Sequence, residues 1–118
     1  MTGFGMRKGQ RLKTFATMRY FGDGVAGEGI IKDLSLNGSY ITGNVQVSIG
    51  MVLALHIFVP GDPELLLIDR ATVKWVKRAS FGVDFDTHEP KMAERITQVI
   101  STLVKTQHGS SGVQIDVT

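Results

Sequence analysis

Only one stretch of this chain reads with a helical period. In "THEPKMAERITQVISTLVKT", residues 87–106, Met92, Ile96, Val99, Ile100 and Leu103 recur at spacings of three and four. That spacing puts them on one face of a helix. Pro90 sits where a first helical turn tolerates it, and Asp86 or Thr87 is the expected cap. Everything before this stretch is cut into short runs by glycine and proline. A chain with one helix and several short strands has to cover most of its apolar strand surface with other strands, which points to a small antiparallel barrel with the helix over an end or side.

The runs support that reading. Leu12 to Tyr20 mixes polar and apolar residues as a half-buried strand does, and Glu28 to Leu34 carries the β-branched pair Ile30 and Ile31. Between them the glycine-rich "FGDGVAGEG" is expected to be the break of a hairpin. Ser39 to Thr42 extends again. Met51 to Val59 is apolar enough to be a strand covered on both faces, stopped by Pro60, Gly61, Asp62 and Pro63. "LLLIDRATVKWVKRA" resumes with Ile68, Ala71, Val73 and Trp75 expected inward, which requires an irregularity near Asp69 and Arg70. After a short turn at Ala79 and Ser80, Phe81, Val83 and Phe85 alternate inward in "FGVDFD".

The length of 118 residues suits one domain. With no cysteine, disulfides and thiolate metal sites are excluded and nothing calls for an oxidising compartment, so a cytoplasmic address is expected. No apolar run approaches the roughly 20 residues of a bilayer span, and "MTGFGMRKGQR" lacks the apolar core of a signal peptide. The net charge of +2 is mild but unevenly placed. Arg7, Lys8, Arg11, Lys13 and Arg19 fall in the first twenty residues without an acidic residue among them, a local tendency to hold anions that a plain solvated terminus would also show.

Catalytic signals are weak. "GDGVAG", Gly22 to Gly27, has the GxGxxG spacing but leads into a strand-like run, whereas a dinucleotide site needs a helix N-terminus there. His56, His88 and His108 are scattered, and no GxSxG elbow is present. The reading is of a protein that binds and does not catalyse, without metal or cofactor.

Two short patterns remain, "RKGQR" with Arg7 and Arg11, and "DLSLNG" with Asp33, Ser35 and Gly38. Each alone is ordinary, the second being common turn chemistry. Together they suit a phosphorylated guanine nucleotide. Arginine is a permanently charged fork that grips phosphate and stacks on a purine. An ionised Asp33 can receive the adjacent N1–H and N2–H of guanine. Ser35, two residues on in an extended chain, is expected on the same face as Asp33 as a donor to phosphate or base. Gly38 can adopt a left-handed conformation or let a ligand approach the backbone.

"RKGQR", then "DLSLNGSYI", then "ATVKWVKRASFGVDF" resembles a PilZ domain over about Met6 to Val104, with both motifs complete and in the family's order. The resemblance implies a six-stranded antiparallel barrel with a C-terminal helix, acting as a receptor for the bacterial second messenger cyclic di-GMP. It implies that Arg7 and Arg11 hold phosphates and stack on guanine. Asp33 and Ser35 would contact the ligand from the barrel surface, and Gly38 would keep the backbone close. Lys8, inside the arginine pair, adds a charge that can reach a phosphate. The expected organisation is a flexible arm at 1–11, the barrel and helix at 12–107, and a tail at 108–118, flexible or forming a short added strand.

With no catalytic domain attached, a ligand-induced change of surface would pass to an unidentified downstream protein. Two rival readings are a PilZ-like interaction module without nucleotide, which the intact motifs oppose, and a basic barrel binding single-stranded nucleic acid. The latter lacks any recognisable single-strand-binding motif to accompany Phe4, Phe15, Tyr20 and Phe21.

Overall fold

Alternation of apolar with polar residues carries the first strand from Leu12, where the computed structural model, which describes residues 12–109, begins. The elements follow as β1 (Leu12–Gly22), β2 (Val25–Leu34), β3 (Gly38–Gly43), β4 (Val52–Ile57), β5 (Leu66–Lys77), β6 (Ser80–Phe85) and α1 (Pro90–Gly109). All strand pairs are antiparallel, and they close into a barrel in the order β1-β2-β3-β6-β5-β4. This is the expected six-stranded barrel with one terminal helix. Arg7, Lys8, Arg11 and the rest of the expected arm lie outside the described residues. The first two residues of the expected tail, His108 and Gly109, belong to α1, and its remainder lies outside the described residues.

Several boundaries differ from the sequence expectation for local reasons. Most of "FGDGVAGEG" is strand, and only Asp23 and Gly24 form the turn. Both have positive φ, 51° and 81°, as the tight hairpin turn that matches strand twist requires. The β5–β6 turn is Arg78 and Ala79, with Ser80 already in β6. β4 is not buried on both faces: Leu53, Leu55 and Ile57 enter the core while Val52, Ala54 and His56 are half-buried on the outside. The cap of α1 also differs. Asp86 uses its carboxylate to accept from the His88 amide (3.0 Å) ahead of the helix, and the Glu89 carbonyl accepts from Met92 and Ala93 at the first turn.

One contiguous core fills the barrel and extends to α1, whose Ile96, Val99, Ile100 and Leu103 are buried as the helical period predicted. Each such side chain, fully buried, contributes about 1.5–3 kcal/mol. The largest fully buried residue is Tyr20. Its ring meets Phe81 edge-on at 5.2 Å, and its hydroxyl donates to the Val45 carbonyl (2.5 Å) and accepts from the Val45 amide (2.8 Å). Gly27 and Gly43 flank this ring, and a Cβ on either would run into it. The glycines are spaces for a tyrosine that ties the chain after β3 to the barrel wall.

The helix is fastened from outside as well. The Arg95 guanidinium donates to Asp62 Oδ2 (3.1 Å) and to the carbonyls of Glu64 and Leu65 (3.2 Å each), joining α1 to the β4–β5 loop. The Glu64 amide hydrogen bond, assisted by Arg95, holds the Asp62 carboxyl below its ordinary value of 3.8 against a smaller opposing effect of burial. A lowered carboxylate stabilises the fold fully above the unfolded value and loses that contribution as pH falls through the folded one.

Two outcomes are expected. Tyr20→Phe strands two backbone groups of Val45 and lowers stability by about 1–3 kcal/mol in urea unfolding; an unchanged midpoint would contradict the tie. The melting-temperature gap between the parent and Asp62→Asn should be constant near neutrality and close as pH drops below 3.8. A gap that persists into strong acid would show that the Asp62 charge plays no part.

Candidate functional site

Two β-bulges decide what the barrel shows to solvent. In β2, Ile31 pairs with Ile41 and Asp33 with Tyr40, so Lys32 is an extra residue. In β5, Val73 pairs with Val83 and Trp75 with Gly82, so Lys74 is extra. An extra residue reverses the alternation beyond it. Ile31 and Val73 are in the core, whereas Asp33 and Trp75, two residues later, stand outside. This corrects the expectation that Trp75 points inward; it is 41% exposed. The irregularity expected at Asp69 and Arg70 is present as another register shift, between the Leu53–Ala71 and Leu55–Ile68 pairs.

The two reversals build one outward row across five strands: Lys13, Asp33, Tyr40, Gly82 and Trp75, each the register partner of the next. Trp75 lies across Gly82, where a Cβ would collide with the indole. Its ring meets that of Tyr40 at 5.3 Å and 55°. Asp33 Oδ1 accepts from the Tyr40 amide at 3.1 Å, which fixes the carboxylate beside the aromatic pair. A carboxylate, two half-exposed rings and a lysine position thus share one face. Sequence reading missed Tyr40 and misdirected Trp75, because the signal that places them is strand register.

The rest of the second motif faces elsewhere. Ser35 is 1% exposed and does not share the face of Asp33, because the chain turns directly after Leu34. Its hydroxyl donates to the Gly38 carbonyl (3.1 Å) and accepts from the amides of Asn37 (3.2 Å) and Gly38 (3.1 Å). Gly38 has no positive φ. It is needed because the Val83 carbonyl of β6 lies where its Cβ would be. Ser39 donates to the Asp33 carbonyl at 2.6 Å, and the Asn37 carbonyl accepts from Phe85 at 2.7 Å. Ser35 and Gly38 therefore build the turn that holds Asp33 at its position.

Arg7, Lys8 and Arg11 lie outside the described residues, yet chain connectivity limits where they can act. Leu12 pairs with Leu34, and Lys13 with Asp33. Arg11 is bonded directly to Leu12, and Arg7 is within about 17 Å of it even with the chain fully extended. The basic segment joins the barrel at the end of the row where Lys13 pairs with Asp33. No group of three or more metal-ligating side chains occurs among the described residues, and no helix there is long and apolar enough to cross a membrane.

Comparison with known proteins agrees with this architecture. No curated protein shows significant similarity to the chain. The crystal structure of the PilZ domain of CeSA from a cellulose-synthesising bacterium matches with a TM-score of 0.67 at 11% identity, covering 80% of this chain and 97% of that one. At that identity the likeness is one of fold. The model of the PilZ domain family matches residues 6–101, a span that includes both the arginine pair and the Asp33 turn. The chain belongs to the PilZ domain family.

Proposed function

We propose that this chain is a receptor for cyclic di-GMP, the ligand that PilZ domains generally bind, and that the nucleotide lies on the outward row of Asp33, Tyr40 and Trp75. The observation that carries this reading is the row itself, with a carboxylate fixed beside two exposed rings where the basic segment joins the barrel. Asp33 receives the N1–H and N2–H edge of a guanine. The rings of Tyr40 and Trp75 offer its face a stacking surface. Arg7, Lys8 and Arg11 neutralise the phosphates, the arginines through paired N–H bonds and by lying flat on a base.

Ser35 and Gly38 serve this site by shaping the turn. For the Ser35 hydroxyl to donate to a ligand, it would have to give up its bond to the Gly38 carbonyl. The protein acts as a binding module, as PilZ domains do. Its output passes through a downstream protein that reads the surface formed when the basic segment closes over the nucleotide, and its place is the cytoplasm, where such a messenger acts.

Isothermal titration calorimetry tests the assignment residue by residue. The parent protein should bind cyclic di-GMP saturably and ignore GTP and cyclic di-AMP. Arg7→Ala, Arg11→Ala and Asp33→Ala should each weaken binding at least tenfold with the fold intact. Trp75→Ala should do the same if it provides a stacking surface, since a base–aromatic contact contributes about 1–3 kcal/mol. Absence of heat with the parent would overturn the receptor reading. Unchanged affinity in any one variant would remove that residue from the site.

A further inference from the structure

One row from the Tyr40–Trp75 pair, toward the Arg78–Ala79 turn, the barrel wall changes from rings to hydrogen-bond donors. Thr42 of β3 pairs with Ser80 of β6, and Ser80 with Lys77 of β5. Strand alternation gives all three the outer face, since Ile41, Phe81 and the half-buried Val76, each next to one of them in the chain, pack against the core. Thr42 follows Tyr40 by two residues and Lys77 follows Trp75 by two, so the rows stand about 7 Å apart. Ser80 in the same way lies two residues before Gly82, across which the indole rests.

The donors of this row are not used up by the protein. Thr42 Oγ1 and Ser80 Oγ lie 3.0 Å apart, a hydrogen bond that takes one of their two hydroxyl hydrogens. Among the described residues no acceptor takes the other, and no carboxylate pairs with Lys77. The surroundings account for the unpaired charge. β3 and residues 44–51 carry no charged side chain, and Asp84, the acidic residue of β6, stands four residues beyond Ser80, about 13 Å along the strand. A hydroxyl hydrogen and an ammonium group thus sit side by side on adjacent strands, next to two exposed rings. A lysine solvated alone beside a turn would have neither neighbour.

A phosphodiester oxygen accepts from hydroxyl and ammonium alike. In a nucleotide the ribose sets the phosphate at a distance from the base comparable to the spacing of these rows. We infer that Thr42, Ser80 and Lys77 form a phosphate subsite for a nucleotide whose base stacks on Tyr40 and Trp75. The inference rests on the receptor reading and deepens it. Cyclic di-GMP carries two phosphodiesters on opposite sides of its ring. The basic segment enters at Lys13, which is four strand spacings, about 19 Å, from Trp75 along the row. The subsite meets the phosphodiester turned away from that segment.

Calorimetric titration of the full chain with cyclic di-GMP, in low and high sodium chloride, tests this. Lys77→Ala should weaken binding by about fivefold or more and Lys77→Glu further, while Lys77→Arg stays within about threefold of the parent. The loss in Lys77→Ala should shrink in about 1 M sodium chloride, because an exposed charge contact is screened. Ser80→Ala should weaken binding by about threefold or more with no change of charge, which a general attraction between a basic protein and an anion does not predict. Circular dichroism checks the fold of each variant. Lys77 is exposed, so its variants keep the test decisive if Ser80→Ala disturbs the pairing of β3 with β6. A parent that binds while Lys77→Ala and Lys77→Glu bind equally well overturns the subsite and leaves the receptor reading standing. So does a loss that salt leaves unchanged, or a folded Ser80→Ala with parental affinity. A parent that gives no heat overturns the receptor reading and this inference together.

Discussion

The pairing of β1 with both β2 and β4 is the contact on which the structure rests. It closes the sheet into a barrel whose interior is filled by side chains. Closure also limits where ligands and partners can meet the molecule. With the interior packed by Tyr20, Met18 and the aliphatic residues of the other strands, recognition falls to the outer wall. What that wall presents is then a matter of register.

Register is set by bulges. Lys32 and Lys74 each insert one residue, and each turns the next chemically important side chain from the core to the surface. Without the first, Asp33 would enter the barrel as a buried carboxylate, a costly placement. Without the second, alternation would turn Trp75 from the surface into the packed core. Gly82 and Gly38 complete the arrangement by giving up volume, one to the indole and one to the β6 backbone. Ser35, Ser39 and the Tyr40 amide then lock the turn around Asp33 through five hydrogen bonds. The proposed site is carried on the strands, and the polar contacts around Asp33 are formed within the barrel itself.

This division explains how much was legible in the sequence. The helix was, because Met92, Ile96, Val99, Ile100 and Leu103 repeat at its period; the strands were, because apolar alternation survives in most of them. The shift at Asp69 and Arg70 was legible too, since Ile68 and Ala71 cannot both face inward without it. The bulge at Lys74 left no such trace, because Val73 and Trp75 are both apolar and satisfy simple alternation. The roles of Ser35 and Gly38 were hidden for a related reason. A serine that builds a turn and one that reaches a ligand look alike in sequence, and the need for glycine at position 38 comes from Val83, which is remote in the chain. Tyr20 showed only as one strand residue among others, since its hydroxyl partner lies 25 residues away.

Because Trp75 is the only tryptophan in the chain, its fluorescence reports on the proposed site without any label. Titration with cyclic di-GMP should change the emission saturably, with the same midpoint as the calorimetric heat, while GTP leaves it unaltered. Saturable heat with no change in the emission of Trp75 would place the nucleotide elsewhere on the barrel and contradict the assignment of the outward row as the binding surface.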